Sequence, residues 1–413
     1  MEKTALVIGL GISGKAAAEF LLSLGYRVYA MDQKKIEMKG VEFLEESDLY
    51  SAKRFDLVIP SPGIPSTHPF LLKAAKEEVE IIGEAELALK HMKQKAVAIT
   101  GTNGKTTVTS LVEHVLLSSG KKAKALGNIG FALTSYVINA DPEEIAVVEL
   151  SSYQLETIKS SVFDAAVLLN ITPDHLDRYG TLEEYAKAKI NIEKSVKKSG
   201  TLYVHEEVSS LYGKLFSSCY QIFGSESEPR LPSCLEGPDR INTCAAWLLC
   251  LKLGVSFDSF LKAFASFKKP AHRIEFVKEF KEVKYYDDSK GTNIDAVIKA
   301  VHVMKGPVIL IAGGVDKGSS YLAWKEPFQG KVKYMFLIGR AAVKIKEELG
   351  LFFNVKIVDS LADAVQAASK IAGPGENVLL SPGCSSFDMF QDYVQRGLEF
   401  QRCVCLLEEG REI

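Results

Sequence analysis

The stretch ITGTNGKTT, residues 99–107, ends as a phosphate-binding loop ends, in Gly104, Lys105 and Thr106, yet Ile99 stands where the G-x-x-x-x-G-K-[ST] pattern places its first glycine. Its chemistry still suits a polyphosphate. Gly101, Thr102, Asn103 and Gly104 offer successive backbone N–H groups at the start of a helix, and Gly101 and Gly104 permit a tight loop of shorter form. Lys105 adds a point charge, and the Thr106 hydroxyl, followed by Thr107, can ligate magnesium. A second glycine loop, GLGISG at 9–14, follows an apolar strand, opens a helix, and precedes Asp32 at the end of the next strand. That is the dinucleotide fingerprint, in which an acid holds a ribose hydroxyl, and it keeps a nicotinamide oxidoreductase open. No later segment supplies a hydride-transfer constellation, whereas several supply phosphate and metal chemistry.

Glu149 closes the apolar strand AVVEL, and carboxyl ends of strands are where α/β sheets bind ligands. Asp174, His175 and Asp177 crowd the turn NITPDHLDRYG, where histidine or carboxylate can ligate a metal. The helix after that turn begins with Thr181 and Glu184, spaced as a capping box. Helical steps from Leu182 reach Tyr185, Lys189, Ile192 and Val196, which places Lys189 in the middle of an apolar stripe. Burying an ammonium costs several kcal/mol unless it is paired. Either the stem snorkels, or the amine is kept reactive for modification or for a metal.

These residues need rigid strand ends to hold them. From residue 4, short β-branched runs alternate with helical periods, TALVIG, GKAAAEFLLSLG, YRVYAMD and onward, the rhythm of a parallel sheet with crossover helices. A charged helical stretch, GEAELALKHMKQ, runs into the strand KAVAIT, marking a boundary near 93. Lys268, Lys269 and Pro270 end a pair of helices and mark another near 270. The expectation is an α/β protein of three domains, 1–93, 94–269 and 270–413, with a flexible loop at GSESEPRLPS, 224–233. A chain of 413 residues agrees with two or three cores at about 100–200 residues each. The 50 basic and 52 acidic side chains nearly cancel, so nothing global predicts nucleic acid or an anionic membrane as partner. Seven cysteines without a C-x-x-C pair, and an opening MEKTALVIG with no basic-then-apolar leader, indicate the cytoplasm. Cys403 and Cys405 read as buried or half-buried small hydrophobes.

The motifs GLGISG, SPGI, TGTNGKTT, GNIG, ELSSYQLE, DHLDRYG, AHRIE, DSKGTN, GGVDKG and SPGCSSFDMFQDYVQRG span the whole chain, and together they resemble the Mur ligase family. The resemblance implies a Rossmann-like N-terminal domain that binds a UDP substrate rather than NAD. It implies a central P-loop-type ATPase domain with a mostly parallel sheet and the shortened loop, and a Rossmann-like C-terminal domain that binds the amino acid. The implied reaction is ATP-dependent addition of D-glutamate to UDP-N-acetylmuramoyl-L-alanine through an acyl phosphate, by a cytoplasmic monomer with neither nucleic acid nor membrane as partner. Lys105 would contact the ATP phosphates, Thr106 and Glu149 would hold one Mg2+, and His175 with a carbamylated Lys189 would hold a second. Asn242, Arg273, Asp288 and Lys290 match groups around ATP; Thr292, Lys317, Ser386 and Tyr393 match groups around D-glutamate. Asn128 matches a contact to the UDP-sugar, and Ile12, Ser13, Asp32, Gln33 and Lys34 would lie at the uridine end. Two positions depart from the family pattern: Asp239 stands where a relative has asparagine, and Tyr393 replaces a phenylalanine.

Overall fold

Each β-branched run of the first segment forms a parallel strand. In the computed structural model, which describes residues 2–45 and 52–408, β1 (Thr4–Ile8), β2 (Arg27–Met31), β3 (Val41–Phe43), β4 (Leu57–Pro60) and β5 (Glu80–Ile81) make one sheet in the order β3-β2-β1-β4-β5. All neighbours run parallel. Central β1 buries Ala5, Leu6, Val7 and Ile8 on both faces, which is why its run lacks polar alternation. The order reverses between β1 and β4, so the GLGISG turn sits at the switch point where such sheets bind ligands.

The second sheet contains β6 (Ala96–Thr100), β7 (Ala123–Gly127), β8 (Ile145–Glu149), β9 (Phe163–Leu168), β10 (Val196–His205) and β11 (Gln221–Phe223), in the order β11-β10-β9-β6-β8-β7. It too is parallel throughout. The helix Lys105–Ser118 leaves the end of β6 and buries Val108, Leu111, Val112, Val115 and Leu116 against Cys244, Ala245 and Trp247 of the helix Gly237–Lys252.

The third sheet is mixed. It holds β12 (Glu275–Phe280), β13 (Val283–Asp287), β14 (Val308–Gly313), β15 (Val332–Ile338), β16 (Val355–Ile357) and β17 (Asn377–Leu380), in the order β12-β13-β17-β14-β15-β16. Only β12 runs antiparallel, against β13. Their two-residue turn, Lys281 and Glu282, has both φ values positive, 52° and 59°, the twist that suits a tight hairpin. It lacks the usual Asn-Gly signal, so this edge strand is not evident from turn residues.

The protein is thus a three-domain α/β fold. By internal packing the first two sheets share one unit, residues 1–171 with 186–268, while the third belongs to a unit of residues 172–185 with 269–413. Within the first unit the helix Glu84–Leu89 is a bolt rather than a solvated charged stretch. The buried Glu84 carboxylate accepts from the Thr134 N–H (2.6 Å) and hydroxyl (2.7 Å). Glu86 accepts from the N–H groups of Lys159 (2.9 Å) and Ser160 (3.1 Å) and from the Ser160 hydroxyl (2.7 Å). Burial pushes the Glu84 carboxyl above its ordinary value.

Three expectations need correction. The stripe through Lys189 does not stay helical to Val196: the helix Leu182–Ile190 tightens into a 3-10 turn over Asn191–Ser195, and Val196 pairs with Phe163 as the first residue of β10. The segment 224–233 is pinned, because Leu231 enters the core and the nearly buried Glu228 carboxylate pairs with Arg230 at 2.6 Å. Cys403 is buried, but Cys405 lies exposed. No helix among the described residues is long and apolar enough to cross a membrane.

Candidate active site

Between β6 and its helix the chain turns on Gly104, whose φ of 88° is left-handed and disfavours any side chain. A Cβ there would also strike the amide oxygen of Asn242, which therefore lies against the loop. Asn170, just beyond β9, braces the turn: its Oδ1 accepts from the Asn103 N–H (2.8 Å), its Nδ2 donates to the Asn103 carbonyl (3.0 Å), and its own carbonyl accepts from the Thr102 N–H (2.9 Å). Sequence reasoning passed over Asn170, although a polar residue at the end of an apolar strand was a usable signal. Lys105 Nζ donates to the carbonyls of Gly101 and Thr102, both at 2.8 Å. Lys189 Nζ, on a side chain 1 % exposed, donates to the same Gly101 oxygen at 2.9 Å. Two ammonium groups on one carbonyl concentrate positive charge beside the helix N-terminus, where the peptide dipoles add to it.

Beside this loop, Glu149 ends β8 in register with Ile99 of β6. Its carboxylate is buried. Oε1 accepts from Asn128 Nδ2 at 2.8 Å, while Oε2 has no hydrogen-bond partner among the described residues. A buried carboxylate oxygen without a partner is costly, and a cation is the natural group to satisfy it. The Thr106 hydroxyl, buried in the first turn of the loop's helix, is likewise an oxygen donor of the kind a hard ion such as Mg2+ takes.

The first glycine loop is arranged differently. Asp32 Oδ2 accepts from the Leu10 N–H at 2.6 Å and Oδ1 from the Lys34 N–H at 3.1 Å. The Leu10 bond holds the Asp32 carboxyl below its usual range. The Ser61 hydroxyl ties the other side by donating to the Gly9 carbonyl (2.7 Å). Ile12 is 82 % exposed, Ser13 is half-buried, and Gln33 and Lys34 are exposed.

His175, Arg273, Asp288, Lys290, Thr292, Lys317, Ser386 and Tyr393 lie in the unit built on the third sheet. His175 adopts φ 55°, and its N–H donates to Asp174 Oδ1 (3.0 Å). Asp174 is buried and pairs with Lys317 Nζ at 3.0 Å; Asn293 Nδ2 lies 3.4 Å from its other oxygen, and Lys317 also reaches the Thr292 hydroxyl at 3.5 Å. Asp288 is buried. Its carboxylate accepts from the Ser381 hydroxyl (2.6 Å) and the Ile274 N–H (3.3 Å), and burial pushes it up to about 7 against the pull of Arg273. Lys290 Nζ donates to the Tyr393 hydroxyl at 3.1 Å, so the oxygen that phenylalanine would lack is used. Ser386 is buried in the loop after β17. Arg396, absent from the predicted set, joins the two loops: it donates to the Ser289 hydroxyl (3.0 Å) and carbonyl (2.8 Å) and to the Cys384 carbonyl (3.2 Å), with burial pulling its pKa down to about 10. Asp239 is half-buried at the start of its helix, and its carbonyl accepts from the Thr243 hydroxyl at 2.7 Å.

A glycine turn from strand to helix, a flanking lysine and a carboxylate on the next strand define a nucleotide-binding α/β protein of the phosphate-loop class. The chain belongs to the Mur ligase family. Residues 3–83 match the N-terminal domain of that family's MurD-like members, 99–221 its middle domain, and 272–384 its glutamate ligase domain. The UDP-N-acetylmuramoylalanine--D-glutamate ligase of Protochlamydia amoebophila is 46% identical, with 98% of each chain covered. The protein of the same name from Caldanaerobacter subterraneus subsp. tengcongensis is 36% identical, again over 98% of each. Among solved structures, the UDP-N-acetylmuramate-alanine ligase of Thermotoga maritima shares the fold over 100% of both chains, with a TM-score of 0.62 at 18% identity.

Proposed function

We propose that this chain is the ATP-dependent ligase that joins D-glutamate to UDP-N-acetylmuramoyl-L-alanine in peptidoglycan precursor synthesis. The relatives named above carry that activity in their names and align over nearly the whole chain. The structural observation that carries the reading is the unpartnered Glu149 oxygen beside the strand that feeds the lysine-bearing loop.

A carboxylate does not condense with an amine at a useful rate, because oxide is too poor a leaving group. ATP, consumed as a substrate, removes the difficulty. The L-alanyl carboxylate attacks the γ-phosphorus and expels ADP; the D-glutamate amine then displaces phosphate from the acyl phosphate through a tetrahedral intermediate. Magnesium, held by Thr106 and Glu149 with a second ion at His175 and a carbamylated Lys189, would neutralise charge on the phosphoryl oxygens. Carbamylation would turn the buried Lys189 from a cation into an anionic oxygen ligand. Lys105 and Arg273 stabilise charge on the phosphoryl group, and Asn242, Asp288 and Lys290 surround the nucleotide. Lys317, Thr292, Ser386 and Tyr393 receive D-glutamate, whose two carboxylates require a cation and hydroxyls at fixed spacing. Ile12, Ser13, Asp32, Gln33 and Lys34 form the uridine end, and the match of residues 3–83 to the MurD-like N-terminal domain supports UDP rather than NAD there. The enzyme works as a cytoplasmic monomer.

Phosphate release measured with UDP-N-acetylmuramoyl-L-alanine, ATP, Mg2+ and a panel of amino acids tests this reading. D-Glutamate should stimulate turnover above all others. Stimulation by another amino acid and not by D-glutamate would refute the acceptor assignment.

A further inference from the structure

The resemblance assigns Asn128 to the UDP-sugar; within the folded chain its side chain meets Glu149. Asn128 follows β7, and its backbone N–H donates to the carbonyl oxygen of Glu149 at 3.0 Å while its side-chain Nδ2 donates to Glu149 Oε1 at 2.8 Å. The turn that carries it is closed on itself. The Gly127 N–H donates to the Phe131 carbonyl (3.1 Å), and Leu126 bridges to Phe131. Gly127 pairs with Glu149 in the sheet, so closely that a Cβ at Gly127 would run into the Glu149 carbonyl. The main chain therefore fixes where Asn128 stands, and its side chain fixes which oxygen of Glu149 remains. That oxygen is Oε2, buried and without a partner among the described residues.

We infer that Asn128 is a positioning residue for the magnesium site: it ties one oxygen of Glu149 so that the carboxylate presents a single oxygen to the cation. The inference rests on the proposed role of Glu149 as a metal ligand. A carboxylate held at one oxygen suits Mg2+, which demands compact octahedral geometry, better than Ca2+, which readily takes both oxygens of a carboxylate. Partners that orient a metal ligand are worth roughly 10–100-fold in metal affinity. Asn128 is itself exposed, so replacing its side chain leaves the core intact, and the backbone bond to Glu149 survives every substitution except proline.

The experiment uses the full chain with Mn2+ as the probe, its free concentration read by electron paramagnetic resonance in the presence of ADP. Asn128→Ala and Asn128→Leu should weaken Mn2+ binding by about 10–100-fold. ADP affinity without metal should stay unchanged, and Ca2+ should compete with Mn2+ better than in the wild type. Binding of UDP-N-acetylmuramoyl-L-alanine, titrated calorimetrically without metal, should change less than the Mn2+ affinity. Wild-type Mn2+ affinity in both variants, with weakened UDP-substrate binding, overturns the inference and returns Asn128 to the sugar. Glu149→Gln separates the two failures: if it too binds Mn2+ as the wild type does, the metal role of Glu149 fails and the inference falls with it. If only the Asn128 variants are unaffected, the inference alone falls.

Discussion

Two glycine loops in this chain share one scaffold, a parallel strand, a tight turn and a helix, yet their surroundings give them opposite character. At GLGISG the charged partner is an acid: Asp32 accepts from the Leu10 N–H, and the Ser61 hydroxyl donates to the Gly9 carbonyl. At GTNGKTT the partners are bases, Lys105 and Lys189, both on the Gly101 carbonyl. A loop amide already bonded to a carboxylate is less free to receive phosphate, whereas a loop that carries the Lys105 ammonium at the start of its helix favours a triphosphate. The scaffold supplies the turn, and the side chains aimed at it decide what the turn can bind.

The largest expected effect breaks the second loop. Lys105→Ala should lower the rate of amide synthesis by at least about 10²-fold, the scale of removing one charge-stabilising group from a transition state. Stability should fall by about 1 kcal/mol for the loss of the bonds to the Gly101 and Thr102 carbonyls. A steady-state assay beside a urea melt checks both numbers. Near-normal turnover in the variant would leave the contrast between the loops without chemical meaning.

That contrast was only half legible in the sequence. The G-K-T ending and the apolar run before it are local, so the loop and its strand could be read together. The burial of Lys189 was equally legible, because helical periodicity from Leu182 to Ile190 sets its face; the reading failed only past Ile190, where pairing of Val196 with Phe163 overrides the helical pattern. What escaped depends on distant partners. Asn170 meets Asn103 from 67 residues away, and Arg396 meets Ser289 from 107; no window of sequence brings them together. The fingerprint assigns the acid of the first loop to a ribose, whereas its bond to Leu10 is a property of the folded turn. The antiparallel edge β12 was missed for the complementary reason, since its turn uses Lys281 and Glu282 rather than residues that announce a hairpin.

A smaller effect is expected at Asp32. Asp32→Asn replaces a charged acceptor with a neutral one at a partly exposed site, so the loss should be about 1 kcal/mol at neutral pH. The pH dependence follows from the lowered folded-state pKa of Asp32. The stabilisation is complete above the ordinary carboxylate value, near 4, and disappears as pH falls through the lower folded value. Denaturant midpoints of the wild type and variant should therefore differ at pH 7 and converge toward pH 3. A difference that stays constant over this range would mean that the Leu10 bond does not depend on the charge of Asp32.

The smallest change in stability belongs to Gly11, and it separates folding from binding within one motif. A Cβ on Gly14 would run into the Gly9 carbonyl and the Ser61 hydroxyl, so that glycine is required by packing alone. Gly11 has φ −67° and ψ −169°, a conformation open to alanine, and a Cβ there meets nothing within 4 Å. Gly11→Ala should accordingly shift stability by less than about 0.5 kcal/mol. If a pyrophosphate approaches the backbone at this second glycine, as the fingerprint's logic requires, the added methyl stands in its path. The KM for UDP-N-acetylmuramoyl-L-alanine should then rise about tenfold with kcat little changed, because the lost contact is made equally before and during reaction. An unchanged KM would show that the substrate's phosphates lie away from this turn, and that the acid-braced loop serves the fold while its lysine-flanked counterpart alone serves phosphate.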